Sequence, residues 1–157
     1  MRAKYAIKAL VYLARSEERR PIVIEQIARS QNLPHKYLEQ ILLEMKNLGL
    51  LKSRKGKRGG YYLARTPESI QLGFLLRMFS GSWAFSPCVG SGVITKCSEC
   101  IDFAHCGLRK MMSRVRDTTA EILEGVTLAN LMQVESAESD DIASTYIKKM
   151  QRLLSYQ

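Results

Sequence analysis

The residues with the most chemistry in this sequence are its four cysteines, Cys88, Cys97, Cys100 and Cys106, which fall within 19 positions as C-x8-C-x2-C-x5-C. Thiolates are soft ligands that suit zinc and iron–sulfur centres. Four cysteines scattered through a core would be unremarkable. Four in one polar, Gly-containing segment, in a chain with no secretion signal, point to a metal or cluster rather than to disulfides. Three readings follow from the spacing: an iron–sulfur cluster, a zinc site, and thiols that are redox-active or unligated. His105, Glu99 and Asp102 share the segment as reserve ligands, although four thiolates already complete a site.

The second chemical feature is charge. The net charge is +9. Residues 1–80 carry 16 Lys and Arg against 6 Asp and Glu, whereas residues 81–157 carry 8 against 9. The whole basic excess therefore lies in the first half, which suits a polyanion whose counterions are released on binding. A merely well-solvated basic surface is the alternative. Within that half, Lys55 to Gly60 reads KGKRGG between two short apolar runs, Leu50 to Arg54 and Tyr61 to Ala64. This pattern predicts a hairpin with a basic tip. Arg54, Lys55, Lys57 and Arg58 would meet phosphates or a narrow minor groove.

Helices must position both features. Residues 3–15 are apolar nearly all round and predict a buried helix. Pro21 breaks the chain, and Ile22 to Ile24 form a short strand or a tight lead-in. Glu25 to Ser30 suit a short helix with Ile27 and Ala28 inward. After a turn at Gln31 to Leu33, Pro34 takes the first position of a helix reaching about Asn47. There Leu38, Ile41, Leu42 and Met45 form one apolar stripe, which leaves His35, Lys36, Gln40 and Lys46 to face a partner. Two short helices and a turn followed by a basic hairpin match the winged helix-turn-helix plan. A helix from Thr66 as N-cap to about Phe79 follows, with Pro67 in its first turn. Beyond the cysteines, a long helix from Gly107 aligns Leu108, Met111, Met112, Val115, Ile122 and Val126 on one face. Arg109, Lys110, Arg114, Arg116, Asp117, Glu121 and Glu124 lie on the other. The apolar face is either core or a dimer seam, and a reader of twofold operators needs the seam.

The fold class expected is mainly α with a small β-hairpin. The chain divides into a DNA-binding unit (1–80), a cysteine-rich sensor loop (81–106), a dimerisation-helix region (107–132), and an acidic linker with a terminal helix (133–157). No apolar run approaches a membrane span. Lys8 interrupts the N-terminal apolar stretch, and Arg15 to Arg20 stand where a small-residue cleavage site would be, so a cytoplasmic protein is expected. Cys97-x-x-Cys100 raises a thiol oxidoreductase as a rival. No βαβ pattern surrounds it, and His35 and His105 are the only histidines, so acid–base chemistry is thinly supplied. A protein-interaction subunit that binds no DNA is a further rival.

The segments YAIKALVYLA, LPHKYLEQIL, LGLLKSRKGKRGGYYLAR, the cysteine segment and EGVTLANL together resemble the IscR/NsrR/CymR family of bacterial regulators, the Rrf-two family, over about residues 3–132. The resemblance implies a homodimer bound to a double-stranded DNA operator, with a long dimerisation helix crossing between subunits. It implies that Tyr37, Glu39 and Gln40 sit on the recognition helix, with Arg54 to Gly60, Gly59 included, as the wing. It further implies a [2Fe–2S] or [4Fe–4S] cluster on cysteines before the long helix, whose state sets operator affinity in response to iron, nitric oxide, oxygen or redox stress. Other members lack a cluster and sense through a partner or through thiol oxidation. This sequence departs from the family pattern in its cysteine spacing. It also carries Lys4 where the family's acidic ligand would be, and Arg109 where a ligating His sometimes stands. An all-cysteine site, Cys88, Cys97, Cys100 and Cys106, would make good both losses.

Overall fold

Helix α1 (Arg2–Ala14) is the hub of the first half, because its alanines and leucines let neighbours approach from several sides: Ala6, Ala9 and Leu10 are fully buried. The computed structural model describes residues 2–16, 20–56, 58–81, 86–90 and 94–136. Helix α2 (Ile24–Gln31) buries Ile27 and Ala28, and α3 (His35–Asn47) buries Leu38, Ile41, Leu42 and Met45, the stripe expected from spacing. Asn32 makes the turn between them with a positive φ of 50°, a conformation asparagine tolerates. Pro34 is the extended residue before α3 rather than its first helical residue.

Gly49, with φ 69°, ends α3: its N–H donates to the Lys46 carbonyl and the Leu50 N–H to that of Met45. This paired geometry turns the chain straight into a strand while Leu50 and Met45 stay in the core. Strands β1 (Leu51–Arg54) and β2 (Gly60–Leu63) pair antiparallel with Leu51 opposite Leu63 and Arg54 opposite Gly60. Ile22 adds a single bridge to Tyr61, so the run expected at Ile22 to Ile24 contributes one strand-like residue before α2 begins.

The helix expected from Thr66 to Phe79 is broken. A short 3-10 turn (Pro67–Ser69) is followed by extended Ile70 and Gln71, and α4 (Leu72–Ser80) starts afterwards. Thr66 makes no side-chain cap; the Ser69 hydroxyl donates to the Thr66 carbonyl instead. The break has a tertiary cause. Gln71 bridges Thr127, with Leu72 N–H donating to Val126 and Leu128 N–H to Ile70. Helix α5 (Gly107–Glu124) ends before Val126, which therefore leaves the expected apolar face. Helix α6 (Leu128–Ser136) carries Leu128 into the same core as α1 and runs into the stretch read as an acidic linker. The terminal helix expected near residues 142–154, and Lys57, lie outside the described residues.

Candidate nucleic-acid interface and cysteine site

The fully buried stripe of α3 leaves His35, Lys36, Glu39, Gln40 and Lys46 exposed on the remaining faces. Tyr37 is half-buried, its ring edge-on to Tyr5 at 5.7 Å, so it braces α3 against α1. His35 Nε2 lies 3.3 Å from Glu25 Oε1 on α2, tying the two helices at their exposed edge. A hydrogen bond from its own backbone amide, helped by His35, holds the Glu25 carboxyl below the usual carboxylate range.

The wing places Arg54, Lys55 and Arg58 in solvent. Gly59 is buried in the turn, where a Cβ would come 2.3 Å from the Arg54 carbonyl oxygen. Its lack of a side chain shapes the wing turn. Arg54, Arg58 and Gly59 form one wall of a cavity of about 530 Å³, whose other wall includes Arg20 and Gln26. Sequence reasoning did not single out Arg20 or Gln26. Arg20 stands with the wing only because the Ile22–Tyr61 bridge brings its segment there.

All four cysteines are free thiols. Cys88 is buried in a 3-10 turn (Pro87–Val89), and Thr95 N–H donates to the Pro87 carbonyl, returning the chain towards it. The Ser86 hydroxyl, 3.0 Å from the Cys88 sulfur, holds that thiol below its ordinary range, against desolvation and with help from Cys97 and the Arg109 guanidinium. The hydrogen bond between the Cys97 and Cys88 side chains pushes Cys97 up, with burial and the nearby Cys88 and Cys100 charges adding to it and Ser86 opposing it. Cys100 closes a tight turn on Cys97, while Cys106 is the residue that caps the start of α5. Among the described residues no group of three or more His, Cys, Asp or Glu side chains converges as a metal site. The donor set thus fits a thiolate-bound centre in kind, and Cys88 and Cys97 fit it in proximity. The reserve ligands are otherwise engaged: Asp102 accepts from the Ala104 and His105 amides and pairs with the His105 ring, and Ser98 donates to Glu99.

The charged face of α5 is not simply solvated. Arg109 Nε donates to the Cys88 carbonyl at 3.3 Å, and Arg116 Nη1 donates to the Val89 carbonyl at 2.8 Å. The Arg109 guanidinium also lies 4.1 Å from the centre of the Phe103 ring. At the other end of α5, Glu124 pairs with Arg77 of α4. Gly73 of α4 sits so close that a Cβ would be 3.1 Å from the Glu124 nitrogen. One helix of 18 residues, about 27 Å long, therefore touches the cysteine segment along its first half and α4 at its end. Part of its apolar face is exposed in the described chain: Leu108 is 65% and Met111 62% exposed, while Met112 and Ile122 are half-buried. No described helix is long and apolar enough to cross a membrane.

Comparison with known proteins matches residues 1–134 to the family described as "Rrf2: Iron-dependent Transcriptional regulator". The chain is 29% identical to the HTH-type transcriptional regulator CymR of Bacillus subtilis, covering 88% of this chain and 92% of that one. It is 26% identical to the HTH-type transcriptional regulator IscR of Vibrio campbellii, covering 92% and 86%. Among solved structures, CymR, the global cysteine regulator of B. subtilis, superposes with a TM-score of 0.68 at 28% identity, covering 85% of this chain and 94% of that one. T. potens IscR gives 0.67 at 26% identity, covering 89% and 88%. These relatives are transcriptional regulators, which removes the thiol oxidoreductase reading of Cys97-x-x-Cys100. With its helix-turn-helix, basic wing and match over most of its length, the chain belongs to the Rrf2 family and is a DNA-binding transcriptional regulator related to IscR and CymR.

Proposed function

We propose that the protein acts in the cytoplasm as a homodimer on a twofold-related operator, with its affinity set by an iron–sulfur cluster, [4Fe–4S] or [2Fe–2S], on Cys88, Cys97, Cys100 and Cys106. The observation that carries this reading is the double attachment of α5. Its first half holds the carbonyls of Cys88 and Val89 through Arg109 and Arg116, and its last turn is fixed to α4 through Arg77, Glu124 and Gly73.

When bound, the cluster supplies iron–thiolate bonds that respond to iron, oxygen, nitric oxide or redox stress. The chain does the rest. Ser86 and Arg109 favour the thiolate of Cys88, the form that ligates. Cys106 stands at the start of α5, so any movement of its sulfur is a movement of the helix end. The exposed Leu108, Met111 and Val115 face is the seam of the dimer. A tilt of α5 then alters the distance between the two α3 helices, and with it the fit to half-sites separated by whole turns of duplex. In this scheme His35, Lys36, Glu39 and Gln40 read bases or position the helix, while Arg54, Lys55, Lys57 and Arg58 meet phosphates or the minor groove.

A zinc or redox-thiol sensor is the second reading, and the hydrogen-bonded Cys88–Cys97 pair favours its redox-thiol form. Anaerobic purification with iron, sulfide and zinc counting separates the two. Near-stoichiometric iron and sulfide, lost on Cys97→Ala, supports the cluster. A colourless protein with one zinc, or with no metal at all, refutes it.

A further inference from the structure

His35 opens α3, and the first residues of a recognition helix are those that meet base edges in the major groove. Its ring is exposed, with Nε2 at 3.3 Å from Oε1 of Glu25 on α2. A carboxylate only accepts hydrogen bonds, so the ring nitrogen that faces it carries the proton. The Glu25 carboxyl is held below the usual carboxylate range, which keeps it an acceptor at neutral pH. The other ring nitrogen, Nδ1, has no hydrogen-bond partner among the described residues and keeps a lone pair on the neutral ring. The backbone fixes the two helices that hold the pair. Leu33 N–H donates to the Ala28 carbonyl at 2.9 Å, and Lys8 of α1 donates to the Gln31 carbonyl at 2.7 Å. The remaining charges around α3 stand elsewhere. Arg2 of α1 pairs with Glu44 near the far end of α3, and Lys52 and Arg54 of β1 follow from that far end. Arg29 lies one turn beyond Glu25 on α2, while Lys36 adjoins His35 and Glu39 lies one turn beyond it on α3. Glu25 is the charge in contact with the ring.

We propose that Glu25 is a positioning residue for base recognition: it pins the His35 ring with Nε2–H turned to α2, so that Nδ1 accepts a hydrogen bond from the exocyclic amino group of adenine or cytosine. The inference rests on the DNA-binding reading and deepens it, since Glu25 acts through His35 and not on the duplex. In the major groove adenine and cytosine present an amino donor where guanine and thymine present an oxo acceptor. A lone pair meets the first with a hydrogen bond and the second with repulsion. Protonation of the ring reverses the match. Nδ1 then becomes a donor, Nε2–H stays on Glu25, and guanine O6 or thymine O4 is the fitting group. Imidazoles change charge between about pH 5 and 8, and the lowered carboxyl of Glu25 stays ionised across that window. Amino bases are therefore preferred at the alkaline end and oxo bases at the acid end. One hydrogen bond, made or unmade, changes affinity roughly two- to tenfold.

Two measurements on the full chain test this. The chain has two histidines, so long-range nitrogen–proton NMR reads the neutral His35 tautomer without DNA. The proton is expected on Nε2, and a proton on Nδ1 overturns the proposal. The second measurement is selection from a randomised duplex pool, followed by sequencing, with wild type, Glu25→Gln and His35→Ala at about pH 8 and about pH 5.5. At one position the wild type is expected to favour amino over oxo bases by roughly two- to tenfold at the higher pH, and to lose or reverse that preference at the lower. His35→Ala loses both the preference and its pH dependence. Glu25→Gln weakens the preference at the higher pH, because a glutamine amide donates as readily as it accepts and no longer selects the Nε2 proton. If Glu25→Gln lowers affinity for every duplex equally and leaves the preference intact, Glu25 only joins α2 to α3 and the positioning role is overturned. A preference for guanine or thymine at the higher pH, one that pH does not alter, or one that survives His35→Ala overturns the reading by Nδ1. Enrichment of no duplex by the wild type is a failure of the DNA-binding reading itself, and the base contact falls with it.

Discussion

Replacing Gly60 by alanine tests how the wing is fixed to the body of the protein. The added Cβ would lie 2.3 Å from the Ile22 oxygen and 2.4 Å from its carbonyl carbon, both backbone atoms that cannot swing aside. The strands must part, and the two Ile22–Tyr61 hydrogen bonds, 2.9 and 2.8 Å, weaken or break. Each contributes about 0.5–1.5 kcal/mol. Holding a non-glycine residue at φ 143° adds about 1–3 kcal/mol of strain. The sum is a destabilisation of about 2–6 kcal/mol. Gly56 supplies the control. It too has a positive φ, 104°, but a Cβ there meets nothing within 4 Å, so Gly56→Ala carries only the strain. Urea unfolding should therefore show Gly60→Ala less stable than Gly56→Ala by about 1–3 kcal/mol, a melting gap of about 2–12 °C for a domain of this size. Duplex affinity should fall with Gly60→Ala, because the wing arginines lose their fixed position. If the two variants unfold together, the strap at Ile22 contributes nothing and the reasoning fails.

Further outcomes are expected elsewhere. Leu42→Ala, at a fully buried position behind α3, should destabilise by about 2–5 kcal/mol in denaturant titration, and a loss below 1 kcal/mol would show that the stripe does not anchor the helix. Met111→Glu places charge on the uncovered α5 face; light scattering should report monomers, and an unaltered dimer would move the seam elsewhere. Arg116→Gln removes the donor that holds the Val89 carbonyl. Operator affinity should then differ less between cluster-loaded and cluster-free protein, with unfolding free energy within about 1 kcal/mol of wild type because the group is partly exposed. An undiminished difference would show that α5 does not read the loop through this contact.

What could be read in the sequence was whatever local periodicity or local chemistry encodes. The α3 stripe has its spacing written over about two turns of pattern, and Leu38, Ile41, Leu42 and Met45 are all fully buried. The wing follows from a Gly-rich basic run between apolar residues. The break at Ile70 and Gln71 was not legible, because its cause is Thr127, more than fifty residues away. Helix propensity favoured continuity there, and a long-range pairing overrode it. Tyr37 entered only through the family resemblance, and its edge-on contact with Tyr5 joins two helices that no local pattern pairs. Arg109 and Arg116 looked like a solvated face for the same reason: the Cys88 and Val89 carbonyls that hold them belong to a segment whose path no periodicity reveals. Arg20 joins Arg54 and Arg58 only after the Ile22 bridge has formed.

The most direct measurement of the central claim compares operator affinity in one anaerobic sample before and after its iron is removed by chelation, with a random duplex alongside. A change of tenfold or more for the operator, with the random duplex unmoved, is the result this account expects. Equal operator affinity in both states would separate the cysteine segment from DNA recognition and contradict it.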